Sequence, residues 1–167
     1  QLIDRPMYFS MVRYHVLFAA QDLPQMGFQN LAVKPIDNTA RNTISSSKNC
    51  LENQFLKISI NRNGSLNILD KKSGQEYKDQ AYFCDEGDAG HAWVHELVAP
   101  IITTLNNSAE VEVLEKNTLR QTLRIKNIMH LPLDLEERKK DHGKHRAMEI
   151  ILDVILKKES KHAEIKI

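Results

Sequence analysis

A chain of 167 residues with 41% hydrophobic content can pack one domain of ordinary size, or one domain and part of another. Lys and Arg number 23 against 22 Asp and Glu, a formal net charge of +1 that lacks the basic footprint of a nucleic-acid binder. No apolar run is long enough to span a membrane, no signal sequence opens the chain, and Cys50 and Cys84 are too few for a disulfide framework. A protein of a reducing, cytoplasmic compartment is expected.

In chain order, "VRYHVLFAA" (12–20) and "FQNLAVKP" (28–35) are strand candidates, separated by "QDLPQMG", where Pro24 and Gly27 break regular structure. "DNTARNTISSSKN" (37–49) is rich in Asn, Ser and Thr and reads as a linker, so residues 1–36 are expected to belong to a different layer from the rest. "FLKISI" places Leu56, Ile58 and Ile60 on one face and Lys57 and Ser59 on the other, the alternation of a half-buried strand. Asn63-Gly64 then predicts a hairpin into "SLNILD", and Gly74 predicts the next turn.

Beyond the stretch "YFCDEGDAGHAWVHE" (82–96), "AEVEVLEK" alternates Val111 and Val113 against Glu110, Glu112 and Glu115. "LRQTLRIKNIMHL" sets Leu119, Leu123 and Ile125 opposite Arg120, Thr122, Arg124 and Lys126, and the short "NT" between the two runs suits a hairpin. "ERKKDHGKHR" reads as a solvated loop, Glu136–Arg146. In "AMEIILDVILKKE", Ile151 and Ile155 recur at helical spacing, but Ile150, Leu152, Val154 and Leu156 alternate and β-branched residues are dense, which favours a strand. The pattern as a whole predicts an all-β protein, an antiparallel β-sandwich. The chain opens at Gln1 without Met, and its last residues, "HAEIKI", alternate like a strand in progress. An excerpt of something longer is expected, with the sandwich truncated at its C-terminal end.

Chemistry concentrates in 82–96. His91 and His95 stand four apart, as two zinc ligands on a helix would, but the glycines upstream argue against a helix and the Glu of an HExxH motif is missing. No metal is expected here. Asp85, Glu86 and Asp88 put three carboxylates beside Gly87 and Gly90; such groups bind cations, accept hydrogen bonds from sugar hydroxyls, or cap backbone N–H groups in a turn. Trp93, the single tryptophan, can stack on a sugar ring or sit in a core or interface. The chain has no Gly-rich phosphate loop, GxSxG elbow or CxxC pair.

The order of segments carries more than any one motif. "QDLPQMGFQNLAVKP", a polar linker, "CLENQFLKISINRNGSLNILDKKSGQEY" and then "CDEGDAGHAW" resembles the C-terminal β region of family 38 glycoside hydrolases, the retaining α-mannosidases. Leu51-Glu52-Asn53, Phe55, Gly64-Ser65-Leu66, Asp70-Lys71, Gly74 and Tyr77 fit that family's first sandwich hairpin, and Asp85, Glu86, Gly87, Asp88 and Gly90 fit its acidic loop. After that loop bacterial members carry further acidic and aromatic residues, where this chain has His91-Ala92-Trp93-Val94-His95.

The resemblance implies a supersandwich of the galactose-mutarotase-like type: closing strands of a preceding small β segment (1–36), a linker (37–49), and the first part of the large sandwich (50–167). It implies a parent enzyme that hydrolyses α-mannosides with an aspartate nucleophile and zinc, both in an N-terminal catalytic domain absent here. No catalytic residue is then expected in this chain, and no cofactor bound by it. Its partners would be that catalytic domain and a mannose-containing glycan or glycoside, with neither nucleic acid nor membrane. Asp85, Glu86, Asp88, His91 and Trp93 become candidates for the substrate rim or the domain interface. A stand-alone carbohydrate-binding module is the alternative. A sugar epimerase fits less well, because its acid and base must face each other and His95 and Glu96 are adjacent.

Overall fold

The computed structural model describes residues 11–13, 16–20, 23–34 and 48–167. The chain divides into two compact units, Gln1–Asn38 and Thr39–Ile167. In the first, residues 16–20 and 28–34 belong to no ladder, which corrects the strands expected at 12–20 and 28–35 as far as the described residues reach. Alternation makes a segment able to pair, but a strand exists only where a second backbone offers its N–H and C=O groups. The expected linker lies outside the described residues apart from Lys48 and Asn49.

The second unit runs β1 (Cys50–Glu52), β2 (Leu56–Ile60), β3 (Leu66–Asp70), β4 (Glu76–Gln80), β5 (Cys84–Asp88), β6 (Leu97–Thr103), β7 (Glu110–Lys116), β8 (Arg120–Pro132), α1 (Leu135–Arg138), β9 (His145–Lys157) and β10 (Glu164–Lys166). One antiparallel sheet has the order β1-β2-β3-β4, a second has β10-β9-β8-β7, and β5-β6 form a separate two-stranded ribbon. The period-two pattern decides what faces inward. Leu51, Leu56, Ile58, Ile60 and Leu66 of the first sheet share one core with Leu123, Ile125, Leu152, Val154 and Leu156 of the second. This is a β-sandwich, and the apolar run at 147–159 is a strand rather than a helix.

Polar residues in the inward register tie the sheets together. Buried Gln121 donates its amide to the Glu52 carbonyl (3.0 Å), and buried Asn127 donates to the Asn63 carbonyl (2.8 Å). Asn53 donates to the carbonyls of Lys157 and Ser160, both at 2.8 Å. The β2–β3 turn requires its glycine twice over. Gly64 has φ +85°, and a Cβ there would lie 2.9 Å from both Ala109 Cβ and Ile125 Cγ2.

The basic run is not wholly a solvated loop. Asp134 Oδ1 accepts from the Glu137 N–H at 2.7 Å and starts the one-turn helix α1. The helix delivers Arg138 to a buried position, 8% exposed. Charge runs stay in water only where no acid is placed to receive a cation, and here Asp85 receives one.

Candidate functional site: the acidic ribbon and its tip

The stretch expected as a loop, Asp85–Gly90, is largely a strand. Cys84–Asp88 pairs with β6 through Cys84↔Thr103, Asp85↔Ile102, Gly87↔Val98 and Asp88↔Leu97, with a bulge between Asp85 and Gly87. Gly87 is buried, and it serves close approach. A Cβ on Gly87 would lie 2.6 Å from Arg138 Cδ and 2.7 Å from the Val98 carbonyl oxygen. The turn proper is 89–96, a short hairpin closed by Ala89 N–H to Glu96 O (2.9 Å) and His91 N–H to Val94 O (2.9 Å).

Asp88 governs that turn. Its Oδ1 accepts from the N–H groups of Gly90 (2.8 Å) and Glu96 (2.9 Å), and its Oδ2 lies 3.1 Å from His95 Nδ1. The Glu96 and Gly90 N–H groups, with the His95 side chain, stabilise the anion and lower its pKa to about 2. Gly90 allows the closure, because a Cβ there would fall 1.9 Å from the Val94 carbonyl oxygen. Glu86 Oε2 lies 3.6 Å from His95 Nε2, so the imidazole sits between two carboxylates.

At the tip, His91 Nδ1 accepts from the Trp93 N–H (3.3 Å), and the Trp93 side chain stands 90% exposed. Val94 and Leu97 beside it are also exposed. At the ribbon's bulge, Asp85 pairs with the guanidinium of Arg138, whose side chain is 6% exposed, and Arg138 also donates to the Pro100 carbonyl.

Of the five residues singled out from the sequence, Glu86 and Asp88 meet around His95, His91 and Trp93 share the tip, and Asp85 is engaged separately with Arg138. None of the five lines the 310 Å³ cleft beside Asn53 and Arg120, nor the 540 Å³ groove beside Asn67 and Asp79. The arrangement is a presented edge rather than a pocket. Among the described residues no group of three or more His, Cys, Asp or Glu side chains is placed to hold a metal ion. Sequence reasoning missed the parts played by Arg138 and His95. The signal for Arg138 was present: Asp134 three residues before Glu137 is a helix-start pattern at the entrance to the basic run.

Comparison with known proteins agrees with this fold. A protein of Halalkalibacterium halodurans named "Putative mannosylglycerate hydrolase" is 35% identical over 97 residues, 57% of this chain and 11% of its own length. The crystal structure of an alpha-mannosidase from Enterococcus faecalis V583 superposes with a TM-score of 0.61 at 30% identity, over 71% of this chain and 15% of that one. A family 38 glycosyl hydrolase structure from Enterococcus faecalis superposes with a TM-score of 0.62 at 30% identity, over 71% of this chain and 16% of that one. The chain therefore spans a small fraction of the proteins it matches. The description "Glycosyl hydrolases family 38 C-terminal domain" matches residues 51–167, most of the chain, which belongs to that family.

Proposed function

We propose that this chain is the β-sandwich portion of a retaining α-mannosidase-type hydrolase, and that it works without a catalytic centre of its own. Its partner is an N-terminal catalytic domain of the same polypeptide, which carries the nucleophile and the zinc. Its ligand, contacted at the rim, is a mannose-containing glycan or glycoside. The observation that carries this reading is the occupation of the ribbon's carboxylates. Asp85 is paired with Arg138, Asp88 is held as an anion by two backbone N–H groups and His95, and Glu86 faces that same imidazole. Retaining hydrolysis needs a nucleophile and a general acid about 5 Å apart across a bound sugar. Carboxylates committed to holding a turn suit a scaffold instead.

What the scaffold presents is Trp93, with Val94 and Leu97, on a hairpin fixed in shape by Asp88. An indole face held clear of its own domain suits either a sugar ring or a facing protein surface. In the parent polypeptide, Trp93→Ala should raise KM for aryl α-mannosides or for mannosylglycerate by about tenfold with kcat little changed, the pattern of lost binding rather than lost chemistry. Unchanged KM for both substrates would remove the tip from the substrate rim.

The exposed indole also favours a second reading, a carbohydrate-binding module that acts alone. Titration of the chain with methyl α-mannoside, followed by isothermal calorimetry, separates the two. Saturable binding that disappears in Trp93→Ala supports the module.

A further inference from the structure

The basic segment between β8 and β9 is closed upon itself in a way that isolates one of its cations. Glu137 Oε1 accepts from Lys140 Nζ (2.6 Å) and Oε2 from the Lys144 N–H (2.7 Å). Gly143 packs so tightly that a Cβ would lie 1.9 Å from the Glu137 carbonyl oxygen. Lys139 and Lys140 remain more than half exposed. Arg138 alone among these three turns inward, its stem laid across Gly87 and its guanidinium divided between Asp85 on β5 and the Pro100 carbonyl on β6.

Those two contacts fall on both strands at the ribbon's bulge, between its base and the turn that carries Asp88, His95 and Trp93. A two-stranded ribbon is weakly held by its own ladder, and a bulge adds a bend whose angle the ladder leaves open. A planar, forked guanidinium that grips both strands there fixes the bend. Burial raises the consequence, since a charge taken from water and then deprived of its partner is strongly unfavourable.

We infer that Arg138 is the positioning residue of the tip: it sets the angle at which the 89–96 turn leaves the sandwich, and so where Trp93 is presented. This rests on the reading of the tip as a substrate rim, but it makes a separate claim about what holds the tip in place.

The test uses the parent polypeptide and 4-nitrophenyl α-mannoside, with Arg138→Ala, Arg138→Lys, Asp85→Asn and Trp93→Ala, and the Arg138→Ala/Trp93→Ala pair. Arg138→Ala should raise KM about tenfold with kcat within about threefold. Arg138→Lys should recover only part of that loss, because an ammonium cannot reach both partners as a fork does. In the Trp93→Ala background, Arg138→Ala should add less than about twofold, since two residues acting through one contact are not additive. Asp85→Asn, which keeps the side chain's shape, carries the same test should Arg138→Ala fail to fold. Full additivity with Trp93→Ala, or complete recovery by lysine, overturns the proposal. Amide exchange judges it independently of any substrate. Arg138→Ala should speed exchange across 89–96 and leave the β8–β9 ladder protected, and unchanged exchange at 89–96 overturns it. An unaltered KM in Trp93→Ala alone sinks the rim reading, and the exchange result still decides the role of Arg138.

Discussion

Asp88 accepts two backbone N–H groups on a single oxygen, and the acid–base consequence is definite. Its pKa in the folded chain, about 2, lies below the ordinary 3.8, so between those values the unfolded chain binds the proton first. Its contribution to the closed turn is therefore complete above the ordinary value and disappears as pH falls through the folded one. Protection factors of the Gly90 and Glu96 amides should decline from about pH 4 to about pH 2 in the native chain. In Asp88→Asn the decline should vanish, because a carboxamide oxygen still accepts but does not titrate. A second residue-scale prediction concerns Gly87. Alanine there must displace either the Arg138 stem or the Val98 carbonyl, at 2.6 and 2.7 Å. Overpacking of that kind typically costs about 1–3 kcal/mol, to be read from urea unfolding midpoints of Gly87→Ala.

The element that organises the sandwich is β8, which pairs with β7 on one side and along its whole length with β9 on the other. Its inward row runs Gln121, Leu123, Ile125, Asn127, Met129, all buried. Leu123 and Ile125 join the core, and the two amides fasten the opposite sheet at Glu52 and Asn63. These two kinds of contact should fail differently. Leu152→Ala, at a position 2% exposed, should cost about 2–5 kcal/mol and lower amide protection in both sheets together, because the two share a single core. Gln121→Ala should cost about 1–3 kcal/mol through the Glu52 backbone groups it leaves unpaired, with the loss of protection concentrated in β1. Equal and uniform losses in both variants would contradict this division of labour.

At the scale of the whole molecule, stability and presentation are carried by different parts. The core lies between the two sheets, whereas Trp93, Val94, Leu97 and Ile101 stand exposed on the ribbon and its turn. Among the described residues no helix is long and apolar enough to cross a membrane, so that surface is not part of a helical span. An aspartate in place of Trp93 should shift the unfolding free energy of the chain by no more than about 0.5 kcal/mol, since the ring packs on little. In the longer hydrolase proposed above, the same change should hasten proteolytic cleavage within 89–96 where a facing domain shields the turn. Identical cleavage rates for the native and Trp93→Asp parents would show that nothing covers the tip.

The strands were legible wherever one face meets a core. At Leu56, Ile58 and Ile60, and at Ile150, Leu152, Val154 and Leu156, the two-residue period is the direct imprint of a buried face. Gly64 announces its turn because few other residues tolerate its φ of +85°. The order of short motifs carried the family, since turn glycines and capping asparagines such as Asn53 answer to local geometry repeated wherever the fold recurs. Other features lay beyond a reading of the sequence. Residues 28–34 read as a strand candidate but join no described ladder, because pairing requires a partner that no single segment contains. Asp85 and Asp88 look equivalent in sequence, yet one is matched to a cation 53 positions away and the other to N–H groups of its own turn. Arg138 is one cation in a basic run until the fold places Asp85 and the Pro100 carbonyl within its reach. Alternation and turn chemistry are local and so determine the sandwich. The fate of a charge depends on which distant groups desolvate and neutralise it, and that the tertiary structure alone decided.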